Sequence, residues 1–393
     1  MNAHRKKTSI WLLFGFTLSN AIANPLESLS ESEIPALQKV FGDTEKFQPQ
    51  ILYTTIERDH SGKIVNLKTH SFNIDPDRYF YPASTIKLPA AICALEFLNK
   101  QSESISLSRN TQYEIFGEKL NEIYPDPLER KSTLAIDIEK IAVISGNMAF
   151  NRLYDLIAPD TIESRLQALG LQRPRISHRL AISLAPELNR SLLGFHFEGM
   201  NRPLLSERRL HDRDYSPVET IGRGYMSRGE FVEKPFPVHR RNFIGLADLH
   251  RALLGLVLGD QYKALPQFEI TDEQRAYLKL VFSRLPRESS LLAKEDQEKS
   301  DNYVKFLVYG DRPDMRIPDS IAIINKIGQA YGFLTDTAYI MDEAAGVEFG
   351  LSATVFVNEN LIFNDNQYEY DQIGFPFLGE LGRQILELER AGK

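Results

Sequence analysis

The five segments with the strongest strand character lie at the two ends of this 393-residue chain, and that placement limits the folds open to it. Ile51 to Ile56 and Ile64 to Thr69 flank the polar turn Asp59-His60-Ser61-Gly62 and predict a hairpin near the start. Ala322 to Ile327, Asp336 to Met341 and Phe349 to Val357 predict three further strands near the end. Between the two groups the periodicity is helical. An apolar helix is expected from Ser84 through Leu98, two helical stretches over 134–168 parted by Ser145-Gly146-Asn147, and helices over 246–258 and 272–285. A short helix over 32–41, with Ser32 as cap and Pro35 in its first turn, opens the chain, and Leu378 to Leu388 closes it. The order predicts one antiparallel sheet assembled from both ends, with the helical block inserted between its parts.

Composition narrows the class. With 42% hydrophobic and 25% charged residues, the chain has the make-up of a globular protein and not of a disordered or fibrous one. Its single cysteine, Cys93, excludes an intrachain disulfide framework and a cysteine-rich zinc site. A net charge of −7 gives no reason to expect nucleic-acid binding. The first 23 residues read as a secretory signal peptide: His4, Arg5, Lys6 and Lys7, then an apolar run from Ile10 to Leu18, then the small-residue site Ala21-Ile22-Ala23. The apolar run is too short to span a bilayer, and no later one approaches that length. A soluble exported protein, periplasmic or secreted, is therefore expected.

Three short segments carry residue types suited to chemistry. Ser84 and Lys87 lie three apart at the start of an apolar helix, so the lysine sits one turn above the serine hydroxyl. A lysine desolvated by apolar neighbours loses basicity and becomes a base for the serine. Taken alone, the pair is more simply read as a capping serine and a solvated first-turn lysine. Ser145-Gly146-Asn147 interrupts a strongly apolar stretch, and its hydroxyl and amide suit a proton relay and a substrate amide; a plain turn explains it equally well. Lys326-Ile327-Gly328 ends an apolar run, where a lysine attracts a substrate carboxylate and a glycine lets a backbone approach. Alone it is an ordinary strand end.

Together, in this order and in these surroundings, the three segments resemble the serine β-lactamase and penicillin-binding protein superfamily, and the class A β-lactamases most closely. Tyr81-Pro82-Ala83-Ser84-Thr85-Ile86-Lys87-Leu88-Pro89 resembles the family's nucleophile helix. Ser145-Gly146-Asn147, with Ala149, Asn151 and Leu153, resembles its Ser-Asp-Asn segment, Ala185-Pro186-Glu187-Leu188-Asn189 its omega loop, and Lys326-Ile327-Gly328 its Lys-Thr-Gly strand. The resemblance implies an α+β fold: a five-stranded antiparallel sheet flanked by helices, from residues 24–83 and 286–393, plus an all-helical subdomain from 84–285. It implies Ser84 as the acylated nucleophile, Lys87 as its base, Ser145 as proton shuttle to the leaving nitrogen, Asn147 on the substrate amide and Lys326 on the substrate carboxylate. The N–H groups of Ser84 and Gln329, beside Gly328, would form the oxyanion hole. No metal or other cofactor is implied. The substrate would be a β-lactam or a peptidoglycan-like amide.

The chain departs from that pattern in ways that bear on turnover. Ala185 stands where the family has its deacylating glutamate, and alanine cannot activate water. Glu187, two positions on, matches another family residue and could substitute only if the loop were shifted. Slow deacylation is therefore expected, which leaves open a β-lactamase-like hydrolase, an acyl-enzyme former nearer to penicillin-binding proteins, and a binding module without turnover. Ile327 replaces a hydroxyl residue and Gly146 an aspartate. Residues 190–242 form a long insertion, read either as a lid or partner-binding loop or as a solvated excursion; its histidines, His196, His211 and His239, are too scattered to suggest a metal site. Residues 286–320 form a second, charged insertion.

Overall fold

The computed structural model describes residues 24–102, 107–182, 184–189, 191, 193–205 and 219–393, without the side chains of Ser102, Pro186 and Glu187. The proposed signal segment, residues 1–23, and His211 lie outside the described residues.

Five strands form the main sheet: β1 (Gln50–Arg58), β2 (Ile64–Phe72), β3 (Ile321–Ala330), β4 (Phe333–Asp342) and β5 (Val347–Phe356). Their order is β3-β4-β5-β1-β2, all antiparallel, so β1 pairs with β5 across most of the chain length. This is the sheet expected from the two groups of strand segments. The helices that matter to the site are α1 (Lys87–Ser102), α2 (Leu134–Val143), α3 (Asn147–Ile157), α4 (Leu246–Leu258), α5 (Asp272–Ser283) and α6 (Phe375–Ala391).

Strand alternation divides the core into two layers. On β3, Ile321, Ile323 and Ile327 pack with Leu378, Leu381 and Ile385 of α6, whereas Ile324 belongs to the layer shared with the helical block. Lys326 and Gly328, in step with Ile324, therefore face the helices. Ile327 faces away from them and is buried among apolar side chains. The substitution at this position thus fills the outer core layer.

Several expectations need correction. The short N-terminal helix runs Pro35–Phe41 and is capped at Ile34 rather than at Ser32, whose hydroxyl instead accepts from Ile34 N–H. The stretch over 134–168 holds three helices, because Ala158, at φ 72°, breaks α3 from Pro159–Ala168. The helical subdomain is not all helical: Tyr113–Phe116, Lys131–Ser132, Gly194–Phe197 and Leu204–Leu205 make a four-stranded sheet. Its strand Gly194–Phe197 comes from the 190–242 insertion, and Phe195 and Phe197 are fully buried. Further on, Gly224–Ser227 pairs with Glu230–Val232 and with Ile362–Phe363. The described part of the insertion is thus folded into the body, not a solvated excursion, because its aromatic residues gain more from burial than the loop loses in freedom. In the second insertion, Val304, Phe306, Leu307 and Ile317 are likewise core residues.

Buried ion pairs tie the helical block together. Arg152 of α3 meets Asp137 of α2 at 2.6 Å with both side chains buried, and Arg179 meets Asp155 at 2.6 Å in the same condition. Among the described residues no helix is long and apolar enough to cross a membrane, and no group of three His, Cys, Asp or Glu stands close enough to hold a metal.

Candidate active site

Ser84 lies in a 3₁₀ turn, Ala83–Ile86, that runs directly into α1. The preceding Ala83 has φ 46°, a left-handed conformation costly for a residue with a Cβ. Thr85 holds this turn by donating from both its backbone N–H and its hydroxyl to Pro82 O, at 3.0 and 2.7 Å. Lys87, one turn on, is completely buried at the start of α1.

The break between α2 and α3 is built to reach Lys87. Ser145 has φ 55°, and the Gly146 N–H donates to Lys140 O at 2.8 Å. A Cβ on residue 146 would stand 3.2 Å from the Lys140 Cβ, a close fit for anything larger than glycine. The turn aims Ser145 at the lysine. Lys87 Nζ donates to Ser145 O at 2.5 Å and to Asn147 Oδ1 at 2.7 Å, with Ser145 Oγ at 3.4 Å. Lys326 Nζ, arriving from β3, donates to Ser145 Oγ at 2.9 Å and to Ile327 O at 3.1 Å. One hydroxyl thus lies between two buried amines. Among the described residues no hydrogen bond links Lys87 to Ser84.

Burial sets the charge of both amines. Desolvation, then repulsion from Lys326, holds Lys87 well below the ordinary lysine range. Lys326 is lowered to about 7, mainly by desolvation, with Asp336 pulling its basicity up and Lys305 pushing it down. Asp336 accepts from the N–H groups of Phe306 and Leu307 and from Asn325 Nδ2, and Asn325 Oδ1 accepts from Lys305 Nζ. This layer of buried polar groups behind β3 was not legible as a site component, because Asn325, Lys305 and Asp336 are scattered over three segments.

Gly328 brings β3 against the nucleophile turn. A Cβ there would lie 2.4 Å from Pro82 O and 3.3 Å from Ser84 N. Only glycine permits this approach, and it places the backbone of Gly328 and Gln329 beside the N–H of Ser84. Ser84, Asn147, Gln329, Leu180 and Ala181 line a cleft of about 520 Å³, completed by tyrosines.

Most of the expected site residues therefore converge: Ser84, Lys87, Ser145, Asn147, Lys326, Gly328 and Gln329. None of residues 185–189, which resemble the omega loop, is among the described residues lining the cleft. The cleft is reached by Leu180 and Ala181, and Asn151 clamps the Leu180 backbone by bonds of 2.8 and 3.0 Å. Ala185 is exposed just before the helical turn Pro186–Asn189; Glu187 lies in that turn, and its side chain is outside the description. Among the described residues no Asp or Glu lines the cleft. The residues that the sequence reading missed are Leu180, Ala181, Tyr331, Tyr368 and Tyr370; a Tyr-Gly pair between two strands was the one available signal, for the hairpin that carries Tyr331.

Residues 37–215 match the family described as the beta-lactamase enzyme family, a segment that includes Ser84, Lys87, Ser145 and Asn147 and ends before Lys326. Among solved structures, a β-lactamase from Sphaerobacter thermophilus DSM 20745 aligns with a TM-score of 0.50 at 15% identity, covering 89% of this chain and 94% of that one. A β-lactamase from Desulfarculus baarsii DSM 2075 aligns at 0.49 and 17% identity, over 89% and 97% of the two chains. No curated protein matches the chain. The fold is thus that of a β-lactamase, and residues 37–215 match the beta-lactamase enzyme family.

Proposed function

We propose that this is an exported serine hydrolase of the β-lactamase type that is acylated at Ser84 by β-lactams or related amides and releases the acyl group slowly. The observation that carries the reading is the Lys87–Ser145–Lys326 arrangement next to Ser84, which lines a cleft without a described carboxylate. A neutral Lys87 has two N–H bonds, which Ser145 O and Asn147 Oδ1 occupy, and one lone pair left to take a proton. Ser84 Oγ attacks the amide carbon as its proton passes to that lone pair. The oxyanion forms between the N–H groups of Ser84 and Gln329, where one such donor is worth about 10²–10³ in rate. The C–N bond then breaks, and the leaving nitrogen takes a proton from Ser145, which is resupplied by the adjacent lysines. Asn147 meets the substrate amide and Lys326 its carboxylate.

Release of the acyl group requires an activated water. Leu180 and Ala181, just before the 185–189 segment, line the cleft, and neither accepts a proton. This supports an acyl-enzyme that outlives its formation. Export rests on the charged, apolar and small-residue order of residues 1–23, with cleavage after Ala23. That cut leaves Asn24 at the start of the mature chain, where its side chain caps the helix Pro25–Ser30 and donates to Ser71 O.

Intact-mass spectrometry tests both parts. Protein recovered from the periplasm or medium is expected at the mass of residues 24–393. Mixed with benzylpenicillin, it should gain one penicillin mass within minutes and keep it for hours, and Ser84→Ala should gain none. An adduct that decays while the drug is consumed would show that a water-activating base operates, and Glu187→Gln would be the next variant. An equal adduct on Ser84→Ala would remove Ser84 as the nucleophile.

A further inference from the structure

Four tyrosines stand around the cleft that holds Ser84: Tyr81, Tyr331, Tyr368 and Tyr370. They come from three separate parts of the chain and are held rigidly. Tyr331 and Gly332 form the two-residue link between β3 and β4, with φ 58° and 86°, as a type I′ hairpin requires at both positions. A tyrosine at the first of these positions is conformationally costly. Tyr331 packs on Tyr81 with ring centres 5.1 Å apart. Tyr370 accepts from the Gly332 N–H at 2.8 Å, Tyr368 accepts from the Asn364 N–H at 2.8 Å, and their rings lie 5.4 Å apart.

A second layer of rings supports the first. Phe236, from the 190–242 insertion, lies 5.4 Å from Tyr331 and stacks on Phe363 at 5.2 Å. The folded insertion thus braces the cleft, which gives it a role without a partner protein. No charged side chain lines the cleft among the described residues, and its polar groups beyond Ser84, Asn147 and the phenols are the amides of Gln329 and Asn366.

We propose that this tyrosine wall sets the specificity of the Ser84 site and selects substrates whose acyl group carries no charge and ends in an aromatic ring, seated against Tyr331 and Tyr368. The proposal rests on the reading of Ser84 as the nucleophile. Tilted rings offer edge-to-face partners that an aliphatic acyl group cannot use, and a ring buried there also leaves water. A charged acyl group would lose its hydration with no charged side chain lining the cleft to meet it.

The test compares penicillins that differ only in the acyl side chain: phenylacetyl, acetyl and α-carboxyphenylacetyl. The second-order acylation constant is read by mass spectrometry. Phenylacetyl is expected to exceed each of the other two by about tenfold or more. Tyr331→Ala and Tyr368→Ala should shrink the phenylacetyl-to-acetyl ratio to about threefold or less, and Tyr331→Phe and Tyr368→Phe, which keep the rings, should preserve it. Equal constants for the three side chains in the wild-type protein, or a ratio unchanged in both alanine variants, would overturn the proposal while leaving acylation intact. If no penicillin forms an adduct, titration calorimetry of Ser84→Ala with N-phenylacetyl- and N-acetyl-D-alanine decides the matter separately. A preference for phenylacetyl that the alanine variants lose would uphold the wall and sink the acylation reading; no preference would overturn the wall as well.

Discussion

Lys326 is buried between influences of opposite sign, and its basicity near 7 makes it a charge that ordinary pH changes can remove. Below that value the ammonium is present to meet a substrate carboxylate; above it the amine is neutral and the attraction is lost. The acylation constant of a penicillin free acid, divided by that of its methyl ester, should therefore fall about tenfold from pH 6 to pH 8. Lys326→Arg, always charged, should hold the quotient constant across this range. A wild-type quotient that does not move would mean that Lys326 does not meet the carboxylate. Lys87 contrasts with it. Its three partners all belong to Ser145 and Asn147, so the spacing of Ser84 and Lys87 located the amine but did not reveal what holds it. Ile327 teaches the same lesson: its identity was legible, but its orientation into the outer core layer depends on strand alternation within the assembled sheet.

At the scale of elements, the site is a contact between a strand and a turn. β3 can lie against the 3₁₀ turn of Ser84 because residue 328 has no side chain. Gly328→Ala forces a Cβ to within 2.4 Å of Pro82 O, which must push the strand and the turn apart. Acylation is expected to fall at least about 10²-fold, since the oxyanion donors lose their alignment. Far-UV circular dichroism should still show a folded protein; near-normal acylation would mean that the gap can widen without cost. Helices α4 and α5 were predicted within two residues of their observed ends, and the strands within three, because their apolar periodicity is strong. The small sheet around Tyr113–Phe116 was missed. Its strands are short, and two of them lie within a segment whose composition reads as loop.

Across the whole molecule, a buried polar chain fastens the helical block to the sheet. His250 of α4 bonds Thr54 on β1 and Ser352 on β5, both at 2.8 Å, and Ser352 continues to Thr337 on β4 at 2.6 Å. Burial lowers His250 to about 4, against about 6.5 in an unfolded chain. Because the folded value is the lower one, the unfolded state takes up the proton first as pH falls. The stability tied to neutral His250 is present above about pH 6.5 and is lost towards pH 4, up to about 3 kcal/mol. Urea unfolding at pH 7.5 and pH 4.5 should show this loss, and His250→Gln should reduce it. Identical pH dependence in the two proteins would assign the loss to other groups.

The sequence by itself determined the five-stranded sheet, the helical block and seven residues that converge at the site, of which Ser84, Asn147 and Gln329 line the cleft, because period-two and helical patterns and short motifs are local properties of a chain. It did not determine the tyrosine wall, the Asp336 layer or the fold of the insertion. Those depend on side chains from distant segments meeting in space: Tyr81 and Tyr331, Lys305 and Asn325, Phe236 and Phe363. Such meetings follow from packing, which only the tertiary structure decides.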